Sequence, residues 1–143
     1  MSEVIKIKYH ADIDHVKQVE GSDWIDLRTA EDVLLQPGQY KRISLGISAE
    51  LPQGYEAHIL PRSSTFEKYG ILLVNGAGIV DNSYNGDNDV WQFPAYATRD
   101  CFIPKNARIC QFRITRNQPN LAIQTVEVLG NDDRSGFGHS GEF

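Results

Sequence analysis

Arg42-Ile43-Ser44-Leu45-Gly46-Ile47-Ser48-Ala49, the turn Leu51-Pro52-Gln53-Gly54 and Tyr55-Glu56-Ala57-His58-Ile59 together decide the fold. Apolar side chains fall on every second position, which puts them on one face of a half-buried strand. The same period runs through Ile5, Ile7 and Tyr9, spaced by Lys6 and Lys8, and through Cys110, Phe112 and Ile114, spaced by Gln111 and Arg113. Gln36-Pro-Gly-Gln39 and Ile103-Pro-Lys-Asn106 separate such runs with good turn chemistry. Leu121 to Leu129 reads as one more apolar strand. No stretch keeps a helical period for three turns, and Thr65 to Tyr69 is the place for a single helical turn. Short strands at this spacing predict an all-β barrel or sandwich.

At 143 residues the chain suits one domain with a real core. Its 41% hydrophobic and 23% charged content are ordinary for a soluble protein. No apolar run reaches the roughly 20 residues of a membrane span, and the first ten residues lack a signal-peptide core. Cys101 and Cys110 make no disulfide framework, so a reducing, cytoplasmic setting is expected. A net charge of −5 argues against a broad nucleic-acid-binding face but leaves room for one nucleotide held by a few aimed cations. His10, His15, His58 and His139 match no zinc spacing.

Three segments carry chemistry. Gly78-Ile-Val-Asp-Asn-Ser-Tyr-Asn-Gly86 delivers one carboxylate, Asp81, into a polar turn beside an aromatic, a setting for a general base. Pro61-Arg-Ser-Ser-Thr65 supplies a cation and three hydroxyls in five residues. Ser135-Gly-Phe-Gly-His-Ser-Gly141 sets one aromatic in a glycine-rich tail that has no core-forming power. That tail reads as a lid that orders over a ligand. The expected organisation is a barrel over residues 1–131 and a C-terminal lid over 132–143.

With Asp23-Trp-Ile-Asp-Leu-Arg-Thr-Ala30, Arg108-Ile-Cys-Gln111 and Asp133 to Gly141, these segments resemble the five motifs of the homotrimeric dUTPase family, in family order and near-family spacing. The resemblance implies a jelly-roll-like β-barrel with at most one short helix, assembled as a homotrimer whose active sites are built from all three chains. It implies hydrolysis of dUTP to dUMP and pyrophosphate, without a nucleic-acid or membrane partner. Asp81 would activate the water that attacks the α-phosphate. Arg62, Ser63, Ser64 and Gln111 would bind phosphate oxygens. Asn75 and the backbone of Gly78, Ile79 and Val80 would read uracil, and Tyr84 would pack on the deoxyribose.

Phe137 would stack on the base, with Gly138, His139 and Ser140 donating to the outer phosphates. The implied cofactor is Mg²⁺, held through substrate phosphates without a direct protein ligand, with Asp26 reaching it through water and Asp23 and Asp32 as weaker candidates. Three features depart from the family pattern. Ser63-Ser64 stands where Ser-Gly is usual. Arg134 lies only three residues before Phe137, which leaves its phosphate role open. Asn88 to Arg99 is a long, aromatic connection whose Trp91 and Phe93 are alternative covers for the base. A dCTP deaminase or bifunctional deaminase–diphosphatase of the same fold, and a regulatory protein of the dUTPase fold that acts on a protein partner, are the competing readings. The deaminase would need a glutamate in the hairpin where Asp81 stands with Asn82.

Overall fold

The computed structural model describes residues 2–134. The strands among them are β1 (Lys6–Tyr9), β2 (Ile25–Arg28), β3 (Val33–Leu35), β4 (Tyr40–Ser44), β5 (Ile47–Glu50), β6 (Tyr55–Pro61), β7 (Ile71–Leu73), β8 (Gly78–Val80), β9 (Gln92–Ala97), β10 (Cys101–Ile103) and β11 (Arg108–Arg116). One helix, α1 (Thr65–Tyr69), sits where the sequence predicts a single turn, and the Gly70 N–H closes it on the Phe66 carbonyl at 2.7 Å. It is too short to cross a membrane.

Pairing is antiparallel throughout, and much of it is nested. β2 pairs with β11, β3 with β10 and β4 with β9. Such nesting is what results when a long two-stranded ribbon rolls up, the jelly-roll arrangement. β6 lies between β11 and β8 in a four-stranded sheet ordered β2-β11-β6-β8. β9 is the middle strand of β4-β9-β7, and β1 lies against β5. The inward faces meet in one core whose largest fully enclosed members include Phe93, Phe112, Leu27, Ile43 and Ile109.

The alternation from Ile43 to Ala49 is not one strand. β4 ends at Ser44 and pairs with β9, whereas β5 starts at Ile47 and pairs with β1. Gly46 makes the break at φ +70°, where an added Cβ would lie 3.1 Å from both Ala30 Cβ and Ile13 Cδ1. Only glycine fits that approach without strain. The period survives because Leu45, inside the bend, is itself fully buried.

Two further expectations are corrected. Leu121 to Leu129 forms no strand, and Ile123, Val128 and Leu129 are strongly exposed. An apolar sequence becomes a strand only beside a partner edge, and among the described residues none pairs with it. Asn88 to Arg99 is not a connection over the surface. It contains β9, and Trp91 and Phe93 are 2% and 0% exposed. Neither residue covers a ligand from above.

Candidate functional site

The hairpin that carries Asp81 grows from β8, which pairs with β6 through Val80 opposite Ala57 and Gly78 opposite Ile59. A side chain at Gly78 would press against Ile59 Cβ at 3.1 Å, so that contact keeps the backbone bare. Beside it opens a cavity of about 220 Å³ lined by Ile59, Asn75, Gly78, Ile79, Val80, Asp81, Tyr84, Val90, Trp91 and Gln92. The Asp81 carbonyl accepts the Tyr84 N–H at 3.0 Å, and the Tyr84 hydroxyl donates to the Val90 carbonyl at 3.0 Å. Tyr84 is therefore a tethered wall of the cavity, 42% exposed, and not a core aromatic. Asp81 is exposed. Its carboxylate enters none of the ion pairs found among the described residues. Trp91 forms part of the wall from inside the core, edge-on to Phe112 at 5.3 Å.

A second group of polar side chains gathers at the other end of β6. Asp26 on β2 faces Gln111 on β11, which faces Leu60 on β6. One Asp26 oxygen meets Arg62 Nε at 3.1 Å and the other meets Arg108 Nη1 at 3.3 Å. Arg62 also donates through Nη1 to the Arg108 carbonyl at 3.3 Å, and Gln111 donates to the Pro61 carbonyl at 3.2 Å. One of the two Gln111 amide hydrogens is thus taken up inside the chain.

Of the three hydroxyls after Arg62, Thr65 is structural. It is 1% exposed, accepts the Arg62 N–H at 2.9 Å and donates to the Ile109 carbonyl at 2.7 Å. This pins the Arg62-Ser63-Ser64 turn to β11. Ser64 occupies the N-cap position of α1 but makes no side-chain cap bond, and Ser63 is exposed. Their hydroxyls remain open to an anion.

The register measures the gap between the groups. Asp81, just past Val80, comes level with Glu56, six positions from Arg62 along β6, or about 20 Å at the rise of a strand. Within one chain the two groups cannot grip one phosphate. Arg134 is exposed at the edge of the described residues, and Phe137, Gly138, His139 and Ser140 lie outside them. Asp23 pairs with Arg113 at 3.0 Å, and Asp32 accepts the Lys105 N–H at 2.7 Å. Both are occupied away from Arg62. Sequence reading missed Arg108 as the second partner of Asp26, and missed Val90 and Gln92 as cavity walls. The only available signal for Arg108 was its place ahead of Gln111 in the fourth motif.

Residues 13–141 match the family model described as dUTPase. The chain belongs to the dUTPase family. It is 50% identical over 138 residues to the SPbeta prophage-derived deoxyuridine 5'-triphosphate nucleotidohydrolase YosS of Bacillus subtilis, covering 96% of this chain and 97% of that one. Among solved structures, a dUTPase mutant of Staphylococcus bacteriophage 80alpha with dUpNHpp superposes at a TM-score of 0.79 and 18% identity, over 98% of this chain and 99% of that one. A mutant dUTPase of phage phi11 of S. aureus, described with a structural Mg(II) ion, superposes at 0.74 and 15% identity, over 88% of this chain and 98% of that one. At these identities the structures establish the shared fold. The dUTPase motifs of this chain thus stand on the jelly-roll predicted from their order.

Proposed function

We propose that this chain hydrolyses dUTP to dUMP and pyrophosphate, with Asp81 orienting the attacking water and taking its proton. The observation that carries the reading is a carboxylate with no ion-pair partner among the described residues, held at the mouth of a nucleoside-sized cavity beside a tethered tyrosine and a bare glycine backbone. Attack on a phosphorus ringed by negative oxygens calls for a placed water and neutralised charge, and little else. Asn75 and the Gly78–Val80 backbone face the base and match the uracil pattern of one donor between two acceptors. Cytosine would leave buried groups unpaired, worth roughly 10⁴-fold in discrimination. Tyr84 closes the sugar side and leaves a 2′-hydroxyl no space.

Arg62, Ser63, Ser64 and Gln111 receive the phosphates. Because they lie about 20 Å along β6 from Asp81, each site joins the Asp81 hairpin of one chain to the Arg62 turn of another. A homotrimer with three equivalent boundaries satisfies this.

Asp26 already spends both oxygens on arginines, so it suits a hydrated cation that arrives on the substrate better than a bare one. Mg²⁺ in that position would neutralise phosphate charge, with Asp26 as its water-mediated neighbour. Among the described residues no glutamate lines the cavity, which favours hydrolysis over deamination. Pyrophosphate release from dUTP, dTTP, dCTP and UTP, with and without Mg²⁺, tests the reading, alongside ammonia release from dCTP. dUTP alone should be cleaved efficiently, and equal cleavage of all four would reject it.

A further inference from the structure

The loop that carries Asp81 owes its position to residues other than Asp81. The Asp81 carboxylate joins no ion pair among the described residues, and its carbonyl only closes the local turn to the Tyr84 N–H. The next residue is anchored quite differently. The Asn82 side-chain amide donates to the Pro52 carbonyl at 2.8 Å and to the Tyr55 carbonyl at 3.0 Å. Both acceptors belong to the turn that enters β6, and the Tyr55 N–H already closes that turn on the Pro52 carbonyl at 3.2 Å. One NH₂ group therefore uses both its hydrogens to strap the hairpin onto a turn that is itself closed. No other uncharged side chain of that length offers two donors on one nitrogen except glutamine, which is a methylene longer.

The far flank of the loop is held as well. Ser48, 2% exposed, donates its hydroxyl hydrogen to the Asp87 carbonyl at 3.0 Å. Its only hydrogen is then spent, so the 2.9 Å contact from His10 Nε2 to Ser48 Oγ has the imidazole as donor. Asp89 closes the loop from within by accepting the Gly86 N–H at 2.9 Å. The carboxylate thus projects from a segment fixed at both ends to the barrel.

Building on the hydrolase reading above, we propose that Asn82 is a positioning residue that sets the reach and direction of Asp81, with Ser48 steadying the opposite flank. The physical requirement is strict, since a displacement of about 1 Å of a catalytic group costs on the order of 10²-fold in rate. Asn82 is not among the residues that line the cavity, so its loss changes turnover and leaves substrate affinity nearly intact.

The test uses the full chain with Asn82→Ala, Asn82→Ser and Ser48→Ala. Asn82→Ala lowers kcat for dUTP by about 10²-fold, with KM changed by less than about threefold. Asn82→Ser, which keeps one donor, loses only about tenfold. The Tyr84 amide, bonded to the Asp81 carbonyl, exchanges its hydrogen faster in Asn82→Ala than in wild type. A kcat within about twofold of wild type in Asn82→Ala overturns the proposal, as does an equal loss in the serine and alanine variants. Should Asn82→Ala not fold, Ser48→Ala decides. A several-fold drop in kcat with faster exchange at Gly86 supports the clamp, and unchanged kcat and exchange overturn it. A wild type that leaves dUTP intact while Asn82→Ala still loosens the Tyr84 amide rejects the hydrolase reading alone.

Discussion

The two ends of β6 handle charge in opposite ways. At Pro61, the Asp26 carboxylate lies between Arg62 and Arg108, so its negative charge is fully offset and one positive charge is left over before any ligand arrives. Beyond Tyr55, Asp81 stands in the open with a carboxylate that pairs with no cation among the described residues. A charge cancelled inside its own chain contributes to folding and must be partly released to serve a substrate. A charge left free contributes little to folding and is ready for chemistry. Substitutions at the two ends should therefore separate stability from activity.

The sharpest contrast is at Asp81. Asp81→Asn keeps the shape and removes the proposed base, so kcat should fall by about 10³-fold or more, within the usual span for a general base. Thermal stability should shift by no more than about 0.5 kcal/mol, as for a surface change that breaks no partner. Calorimetry beside steady-state kinetics checks both. A large loss of stability would mean that the open carboxylate has a structural partner after all.

Arg62→Ala should lower activity by about 10²-fold through lost phosphate binding, and it also unpairs part of Asp26. Its second use is to break or confirm the division of the site between chains. Asp81→Asn and Arg62→Ala chains, each nearly inactive alone, should regain about one quarter of wild-type activity when unfolded and refolded together at equal amounts. That is the fraction of boundaries that receive an intact residue from each side in a random trimer. Activity equal to the mean of the two pure variants would place both residues in one chain's site.

Thr65→Val removes two hydrogen bonds at nearly constant volume and leaves the Ile109 carbonyl and the Arg62 N–H short of partners. The expected cost is about 1–3 kcal/mol of stability, read as a lower Tm. Activity measured well below the melting temperature should fall less than in Arg62→Ala. The substitution loosens the turn and leaves the guanidinium in place.

The contrast between the ends also explains what the sequence could reveal. Asp81, Tyr84 and Gly78 are neighbours in sequence and line one cavity, so their grouping could be read from nine consecutive residues. The Asp26–Arg62–Arg108 group joins β2, β6 and β11, and the antiparallel register that creates it is invisible to a local pattern. Thr65 looked like an available hydroxyl because sequence gives residue type but not burial. β9 was hidden because Pro94 breaks the expected composition of a strand, although its carbonyl accepts the Val74 N–H at 3.0 Å in the finished sheet. The apolar content of Leu121 to Leu129 was real and failed as a strand, since a strand also needs an edge to join. Asn82 was dismissed as the residue that is not glutamate, and its two carbonyl partners lie some 30 positions away in the chain.

The smallest expected effect concerns Cys110, which pairs with Leu27 and Pro61 in the sheet directly behind the arginine group. Burial pushes its thiol far above the ordinary range, and the nearby Asp26 charge adds to the shift in the same direction. The folded chain therefore keeps this thiol protonated at a pH where the unfolded chain releases the proton. Its contribution to stability is complete below the unfolded value near 9 and declines as pH rises above it, by at most about 1.4 kcal/mol per pH unit for one proton. Cys110→Ala should flatten the alkaline part of a plot of unfolding free energy against pH, whatever it costs at neutral pH through the lost sulfur. A thiol reagent offered to the native protein at pH 8 should label Cys110 only as fast as the barrel opens. Asp81→Asn should leave both the slope and the labelling rate unchanged, because Asp26 is the charge that acts on Cys110. If Asp81→Asn alters either one, the two ends of β6 are coupled through the core, and the separation of stability from activity fails at the site where it is most useful.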